Sequence, residues 1–269
     1  MVKKLYKHEF LAWLRVIPIF FAVTLLTAAF HRVLQVFETN TVYYTIINVS
    51  ALILYFVSIM VCIAAPVVFG VVRFYKNLFT GEGYLTFTLP VKNTTHLNIK
   101  VTTAVVFSIA SFVVCLLSAL IITAGDVFRE LWKAFIYLWK QIPLEDTRHL
   151  IGYAAEFCVL LLVALFATAL LYYSCLCIGQ IAKKNRILLS IGVYFGYYMI
   201  TQFLSTIFII IFTVLETAGA LTPIYDFVSA HPWASGHMMF WGLIVLDAVL
   251  ALVYWLICRF ILRKKLNLE

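Results

Sequence analysis

Three ionisable residues stand inside long apolar stretches of this sequence: Arg32, Glu156 and Asp247. A charge in such surroundings costs about 2.5–3.5 kcal/mol at the centre of a membrane-inserted helix, and it usually faces a cavity or a partner. One interpretation is a polar patch on a transport route. The other is structural: Arg32 pairs with Glu156 or Asp247, or the side chains extend toward the membrane headgroups. The residues alone favour the structural interpretation.

No catalytic motif accompanies these residues. The sequence lacks the phosphate-binding motif G-x-x-x-x-G-K-[ST], the metalloprotease motif H-E-x-x-H and the nucleophile motif G-x-S-x-G. Its six histidines lie near the ends of the apolar stretches or between them, where histidine is usually an interfacial polar group. Cys175 and Cys177 point about 200° apart on a helix, so they cannot share a metal ion there. We expect no catalytic residue, no metal site and no cofactor bound by this chain.

The elements that must position these side chains are membrane-spanning helices. Of the 269 residues, 64% are hydrophobic and 12% are charged, whereas soluble domains have about 45–50% and about 25%. Crossing the hydrocarbon core of a bilayer takes about 20 apolar residues. Six stretches are long enough, and they predict an all-α integral membrane protein with a single transmembrane domain over residues 1–269. The predicted spans are residues 15–37, 45–72, 101–124, 151–181, 187–214 and 238–262.

The positions of Lys and Arg predict the orientation of these spans. If both chain ends and the second and fourth inter-span turns lie on one side, that side holds all but five of the 20 Lys and Arg. The positive-inside rule then places both termini in the cytoplasm of a multi-pass protein of the cell membrane. The net charge of +8 is therefore an orientation signal, and we expect no nucleic-acid partner. The five residues on the other side are Arg32, Arg129, Lys133, Lys140 and Arg148.

Three further segments are predicted to lie at the membrane surface. Residues 2–13 place apolar side chains opposite Lys4 and Lys7, which predicts a short amphipathic N-terminal helix on the lipid surface. Residues 125–150 place aromatic side chains on one helical face, which favours the outer leaflet. Residues 215–236 are broken by glycine and proline and predict short helices that dip into the outer leaflet.

Between the second and third predicted spans the sequence turns polar, in the stretch RFYKNLFTGEGYLTFTLPVKNTTHLNIK over residues 73–100. Apolar pairs four residues apart continue the second helix to Phe79, and Gly-Glu-Gly at residues 81–83 then breaks it. In YLTFTLPV, residues 84–91, apolar and polar residues alternate, which predicts an extended segment. Its apolar side fits a partner-binding loop about as well as a solvated loop anchored by aromatic residues at the headgroups.

The stretch RFYKNLFTGEGYLTFTLPV, residues 73–91, resembles a segment in permease subunits of type-2 ABC exporters of Gram-positive bacteria. The N-terminal surface helix, the six spans, the broken segment before the last span and the cytoplasmic ends match the plan of that family. The resemblance implies a coupling turn that contacts a separate ABC ATPase subunit, with ATP and magnesium bound by that partner. It also implies a second permease chain, identical or related. The ATPase-contacting residues that it implies are Gly81, Glu82, Gly83, Tyr84, Leu85, Phe87 and Leu89.

The expected function is that of an exporter permease, which forms the translocation pathway for an unidentified cargo and hydrolyses no ATP itself. ATP binding by the partner would pull the cytoplasmic turns together and turn a cavity between two permeases outward. A stand-alone intramembrane enzyme, a protease or lipid-modifying enzyme, would need two polar catalytic residues on facing helices at similar depth. The sequence offers only scattered candidates for such a pair. A secondary transporter fits poorly, because the six spans contain no detectable repeat.

Reporter fusions test the predicted orientation. A reporter after Arg148 should be found outside the cell, and reporters after Lys184 and at the C-terminus should be found inside. The reason is the concentration of Lys and Arg on one side of the predicted spans. A C-terminal reporter that is exported would overturn the orientation of every span.

Overall fold

The computed structural model describes residues 2–37, 41–81, 83, 88, 91–182 and 184–264. These residues are almost all helical, and no strand occurs among them. Six helical segments in the described part of the chain are long and apolar enough to cross a membrane, as predicted. The helices are α1 Val2–Leu14, α2 Ile17–Val36, α3 Val42–Phe79, α4 Asn93–Thr123, α5 Asp126–Gln141, α6 Leu144–Gly179, α7 Arg186–Thr217, α8 Thr222–Ala230 and α9 Pro232–Lys264.

Several helices extend beyond the predicted spans. α3 has 38 residues, about 57 Å at 1.5 Å per residue, and therefore exceeds a hydrocarbon core of about 30 Å. Its predicted continuation to Phe79 is confirmed. Pro223 stands in the first turn of α8, and α9 begins at Pro232. Proline is favoured there because its missing N–H would have no acceptor within the helix. These two prolines therefore start helices.

The connection between α3 and α4 differs from the prediction. Thr80 forms a bend after α3, but Gly81 and Gly83 are helical, and the Gly83 N–H donates to the Thr80 carbonyl at 2.7 Å. Thr88 is helical as well, whereas the alternating pattern predicted an extended segment. An isolated extended segment has no neighbouring strand to bond its backbone groups, while a helical turn satisfies them locally. At Thr88, the alternating pattern was therefore a poor guide to the backbone.

Close contacts divide the chain into two compact units. The first comprises Met1–Lys76 and Phe87–Pro143 and contains α1, α2, most of α3, α4 and α5. α3 and α4 are joined here by a buried hydrogen bond of 3.1 Å between the hydroxyl groups of Tyr55 and Ser118. Hydroxyl bridges of this kind are favoured between helices where water is excluded.

α5 forms the helix that was predicted for part of residues 125–150. Aromatic rings are stacked in a row along one face, with successive centroids 6.2, 5.6 and 5.8 Å apart. These rings are Phe128, Trp132, Phe135 and Trp139. Lys133 and Glu130 form an exposed ion pair at 2.8 Å. An exposed aromatic face with charges elsewhere on the helix is typical of a membrane interface, although the outer-leaflet position stays a prediction.

The second unit comprises Asn77–Thr86 and Leu144–Glu269, and in it α6 packs against both α7 and α9. Glycine lets α6 approach α7 closely at Gly179. A methyl group at that position would overlap the Ser190 hydroxyl oxygen and lie 2.8 Å from the Arg186 carbonyl oxygen. The contact between the end of α6 and the start of α7 therefore requires glycine.

This requirement is testable by substitution. Gly179→Ala should lower the free energy of unfolding by about 1–3 kcal/mol, because the added methyl forces the backbone of α7 away. The measurement is the thermal midpoint of the purified chain in detergent. Gly196→Ala on α7 is the matched control, since a methyl there would meet nothing within 4 Å. Equal losses of stability in the two variants would contradict the close approach.

Candidate functional site

A carboxylate from the N-terminal helix is buried in the first unit. Glu9 on α1 is only 7% exposed, and Trp13, one turn further along the same face, is 1% exposed. The Trp13 ring stacks on Phe107 of α4 at 5.1 Å and meets Phe69 of α3 edge-on at 5.0 Å. These aromatic contacts hold one face of α1 against α3 and α4. Glu9 lies on the same face, so its carboxylate is buried in the first unit.

Two basic side chains bind this carboxylate. Arg73 of α3 donates from Nε to Glu9 Oε1 at 2.7 Å and from Nη2 to Glu9 Oε2 at 3.1 Å. Lys100 of α4 donates from Nζ to Glu9 Oε1 at 3.4 Å. The two-pronged guanidinium contact matches the geometry of a carboxylate and is among the stronger protein hydrogen bonds. Glu9, Arg73 and Lys100 are called the Glu9 cluster below.

The burial of the Glu9 cluster makes its charges interdependent. The side chains of Glu9, Arg73 and Lys100 are 10%, 18% and 7% exposed. His96, one turn before Lys100 on α4, is buried within electrostatic reach of both Lys100 and Glu9. Removing one partner of a buried ion pair leaves an uncompensated charge, which is far more costly than the loss of an exposed pair. The cluster is therefore suited to fastening three helices together.

The Glu9 cluster joins both ends of the polar stretch over residues 73–100. Arg73 is the first residue of that stretch and Lys100 is the last, and one carboxylate holds both. The sequence by itself gives Glu9 no role, because its partners lie 64 and 91 residues away. A usable signal existed, since Glu9 is an isolated acid in an otherwise basic N-terminal segment.

Two of the residues implied to contact an ATPase are described. Gly81 is exposed, and a methyl added to it would meet no atom within 4 Å. Gly83 is buried. The other five lie outside the described residues: Glu82, Tyr84, Leu85, Phe87 and Leu89.

The ionisable residues predicted for a transport path fall into different units. Arg32 lies in the first unit near the end of α2, where Nη1 donates to Gln35 Oε1 at 3.0 Å. It also lies beside Gly125, whose φ of 104° is strained for other residues. Glu156 and Asp247 belong to the second unit. Pairing of Arg32 with either acid stays a prediction.

The two acids of the second unit have different surroundings. Glu156 on α6 accepts at Oε1 from His237 Nδ1 of α9, with 2.8 Å between the two atoms. His237 Nε2 lies 3.1 Å from His149 Nδ1, so three titratable side chains form a chain of hydrogen bonds. Asp247 is half-buried on α9 and has no hydrogen bond or ion pair among the described residues. The structure therefore assigns polar partners to Glu156 but not to Asp247.

The cysteines form no disulfide, and Cys175 and Cys177 are both buried in the second unit. Within the described ranges, no group of three or more His, Cys, Asp or Glu side chains is placed to hold a metal ion. No known protein family, no curated protein and no solved structure matches this chain. The function of the protein is therefore inferred from its residues and their geometry.

Substitution of Glu9 tests the importance of the Glu9 cluster. Glu9→Gln removes the carboxylate that Arg73 and Lys100 both bind in a buried site, and should lower the free energy of unfolding by about 3–5 kcal/mol. The measurement is thermal unfolding of the purified chain in detergent. Glu130→Gln is the control, because its pair with Lys133 is 71% and 63% exposed and should be worth less than about 1 kcal/mol. If Glu9→Gln were no more harmful than Glu130→Gln, the cluster would not fasten the helices.

Proposed function

We propose that this chain is the permease subunit of a type-2 ABC exporter. Together with a second permease chain, identical or related, it forms the pathway by which a cargo leaves the cell. A separate ATPase subunit binds ATP and magnesium and drives the movement. The observation that carries the proposal is the Glu9 cluster, which ties together both ends of the polar stretch over residues 73–100. That stretch contains the segment, residues 73–91, that resembles an ATPase-contacting turn.

The proposed turn is anchored at its base by α3 and α4. α3 continues past Arg73 to Phe79, about 9 Å of helix, and α4 begins at Asn93, about 10 Å before Lys100. Residues 80–92 connect the two helices. A short connection on two helices that are fastened at their base cannot be displaced without moving both helices. This is the property that a turn needs in order to transmit a push.

Contacts among α1, α3 and α4 would carry a movement of the turn toward the membrane. Trp13 contacts Phe107 and Phe69, and the hydroxyl groups of Tyr6 and Thr102 lie 3.1 Å apart. Together with the Glu9 cluster these contacts bind α1, α3 and α4 into one body at the predicted cytoplasmic end of the first unit. Force applied at the turn would therefore tilt the helices as a body, because local bending would have to break buried ionic and aromatic contacts.

The setting of the chain agrees with this function. Six helical segments are long and apolar enough to cross a membrane, so the protein is proposed to be a multi-pass protein of the cell membrane. The excess of Lys and Arg on one side supports a cytoplasmic position of both termini and of the proposed coupling turn, where ATP is available.

A specific observation also favours the second candidate, an intramembrane enzyme. Glu156 and His237 lie on facing helices and are hydrogen-bonded, which is the kind of pair that this alternative requires. A general base, however, needs a ring nitrogen directed at the substrate. Both nitrogens of His237 already have partners, Glu156 and His149. His237 therefore has no nitrogen free to act as that base, which favours the permease over an enzyme built on the Glu156–His237 pair.

The permease proposal is tested by the pair of substitutions Phe87→Ala and Leu89→Ala. The tagged full chain is purified from its own host in mild detergent, and co-purifying proteins carrying G-x-x-x-x-G-K-[ST] are identified by mass spectrometry. We expect the native chain to bring down such an ATPase with ATP hydrolysis in the eluate. The double variant should insert normally but lose most of both, because a few apolar anchors usually carry most of the binding energy of an interface.

Two controls make the result interpretable. Phe208→Ala together with Phe212→Ala removes two exposed aromatic side chains from α7 and should leave co-purification unchanged. Glu9→Gln keeps the proposed contact residues and should retain the ATPase while its hydrolysis rate changes. A native chain that captures no ATPase, or a Phe87 and Leu89 double variant that retains full capture and hydrolysis, would count against the proposal.

A further inference from the structure

The hydrogen-bonded chain of Glu156, His237 and His149 lies where α6 and α9 approach closely. A methyl group at Gly152 of α6 would lie 3.1 Å from His237 Cε1. A methyl group at Gly236 of α9 would overlap the Tyr153 hydroxyl group. Gly152 therefore lets the ring of His237 lie against the backbone of α6, and Gly236 lets Tyr153 lie against the backbone of α9.

Neighbouring aromatic residues fix the orientation of the rings. His149 stacks on Trp233 with 5.1 Å between the ring centroids and 8° between the ring planes. Tyr153 donates from its hydroxyl group to the Trp233 carbonyl at 2.8 Å, and its ring lies 4.4 Å from that of His237. The alignment of the three titratable groups is therefore held by contacts that carry no charge.

The Glu156 carboxylate, at one end of the series of hydrogen bonds, has a hydrogen-bond partner for only one of its two oxygens among the described residues. The side chains of Glu156 and His237 are 13% and 27% exposed. Glu156 Oε1 bonds to His237, but Glu156 Oε2 is buried without a hydrogen-bond partner among the described residues. A buried carboxylate oxygen without a partner is costly, and the cost falls when the negative charge is neutralised by a proton within the chain.

The two hydrogen bonds, Glu156 to His237 and His237 to His149, show how many protons the three side chains hold. Each contact needs one proton, and two neutral rings supply both: His237 Nδ1–H donates to Glu156, and His149 Nδ1–H donates to His237 Nε2. The Glu156 carboxylate is then negative, and His149 Nε2 has an unused lone pair. One more proton can bind at that nitrogen without breaking either hydrogen bond.

The added proton can also move along the chain. As His149 Nε2 gains a proton, the Nδ1–H bond of His149 breaks and an Nε2–H bond forms on His237. The Nδ1–H bond of His237 then breaks and an O–H bond forms on Glu156. Both hydrogen bonds survive with their direction reversed, and the net charge changes from −1 to zero.

Among the described residues, the other titratable groups nearby make no hydrogen bond or ion pair with Glu156, His237 or His149. Asp146 and Arg148 flank His149 on α6, and Asp247 follows His237 on α9 at a distance of nearly three helical turns. The elements packed against α6 and α9 carry further groups. These are Arg186, Tyr194, Tyr197, Tyr198 and Glu216 on α7, Tyr225 and Asp226 on α8, and His231 between α8 and α9.

We propose that His149, His237 and Glu156 form a proton-binding relay between α6 and α9, with His149 Nε2 as the entry point and a hydronium ion as the source. Protonation removes the negative charge between these two helices. The relay therefore makes the contact of α6 with α9 sensitive to pH at the predicted outer end of the second unit. It goes beyond the exporter proposal and does not depend on an ATPase.

The relay is tested by nitrogen-15 NMR of histidine rings in the full chain, held in lipid nanodiscs and titrated from about pH 8 to about pH 5. We expect the His149 and His237 signals to change together. Glu156→Gln should displace the midpoints of both rings. The effect on His149 is decisive, because His149 contacts the carboxylate only through His237. His231→Gln is the control, expected to leave both midpoints in place.

Two results would overturn the relay. One is a His149 midpoint that is unchanged in Glu156→Gln, since the carboxylate would then act on His237 alone. The other is the absence of any titration of either ring in the native chain, since the contacts would then be structural only. If Glu156→Gln fails to fold, scalar coupling across the His149–His237 hydrogen bond in the native chain remains measurable, and its absence would also exclude the relay.

Discussion

One buried carboxylate constrains the arrangement of three helices in the first unit. Glu9 is surrounded by protein, so its charge must be matched by groups that are buried with it. Arg73 supplies two hydrogen bonds and Lys100 a third, and these residues lie on different helices. α1, α3 and α4 therefore cannot separate there without leaving charges in an apolar environment. The Trp13 contacts add apolar stabilisation beside the ionic one.

The second unit joins its helices by a different principle. α6 and α9 meet through Gly152 and Gly236, and the polar groups between them are histidines and a carboxylate. Arginine and lysine keep their charge over the physiological range, whereas histidine gains or loses a proton within it. The Glu9 cluster is therefore suited to a permanent connection. The contact between α6 and α9 is suited to a response to pH.

The sequence predicted the helices better than their ends. The length and apolar character of the six spans were sufficient, because a chain without water around it must bond its own backbone groups. The predicted third span began at residue 101 and left out the polar residues Asn93 to Lys100, although Thr94 or Thr95 was a candidate cap close to the observed start of α4. Such residues are helical because a helix that leaves the bilayer can continue in water. Pro223 and Pro232 were interpreted as breaks, but their position in a first turn makes them helix starters.

The sequence by itself determined an all-helical chain with six apolar helices long enough to span a membrane, because composition and run length report directly on the solvent around each segment. The tertiary structure alone decided which polar groups meet. Glu9 is 64 residues from Arg73, and His237 is 88 residues from His149. Helical periodicity shows which residues share a face, but it carries no information about the residue opposite. Which residues face each other across two helices depends on how whole helices pack. In this protein that packing formed both the Glu9 cluster and the contacts of Glu156, His237 and His149.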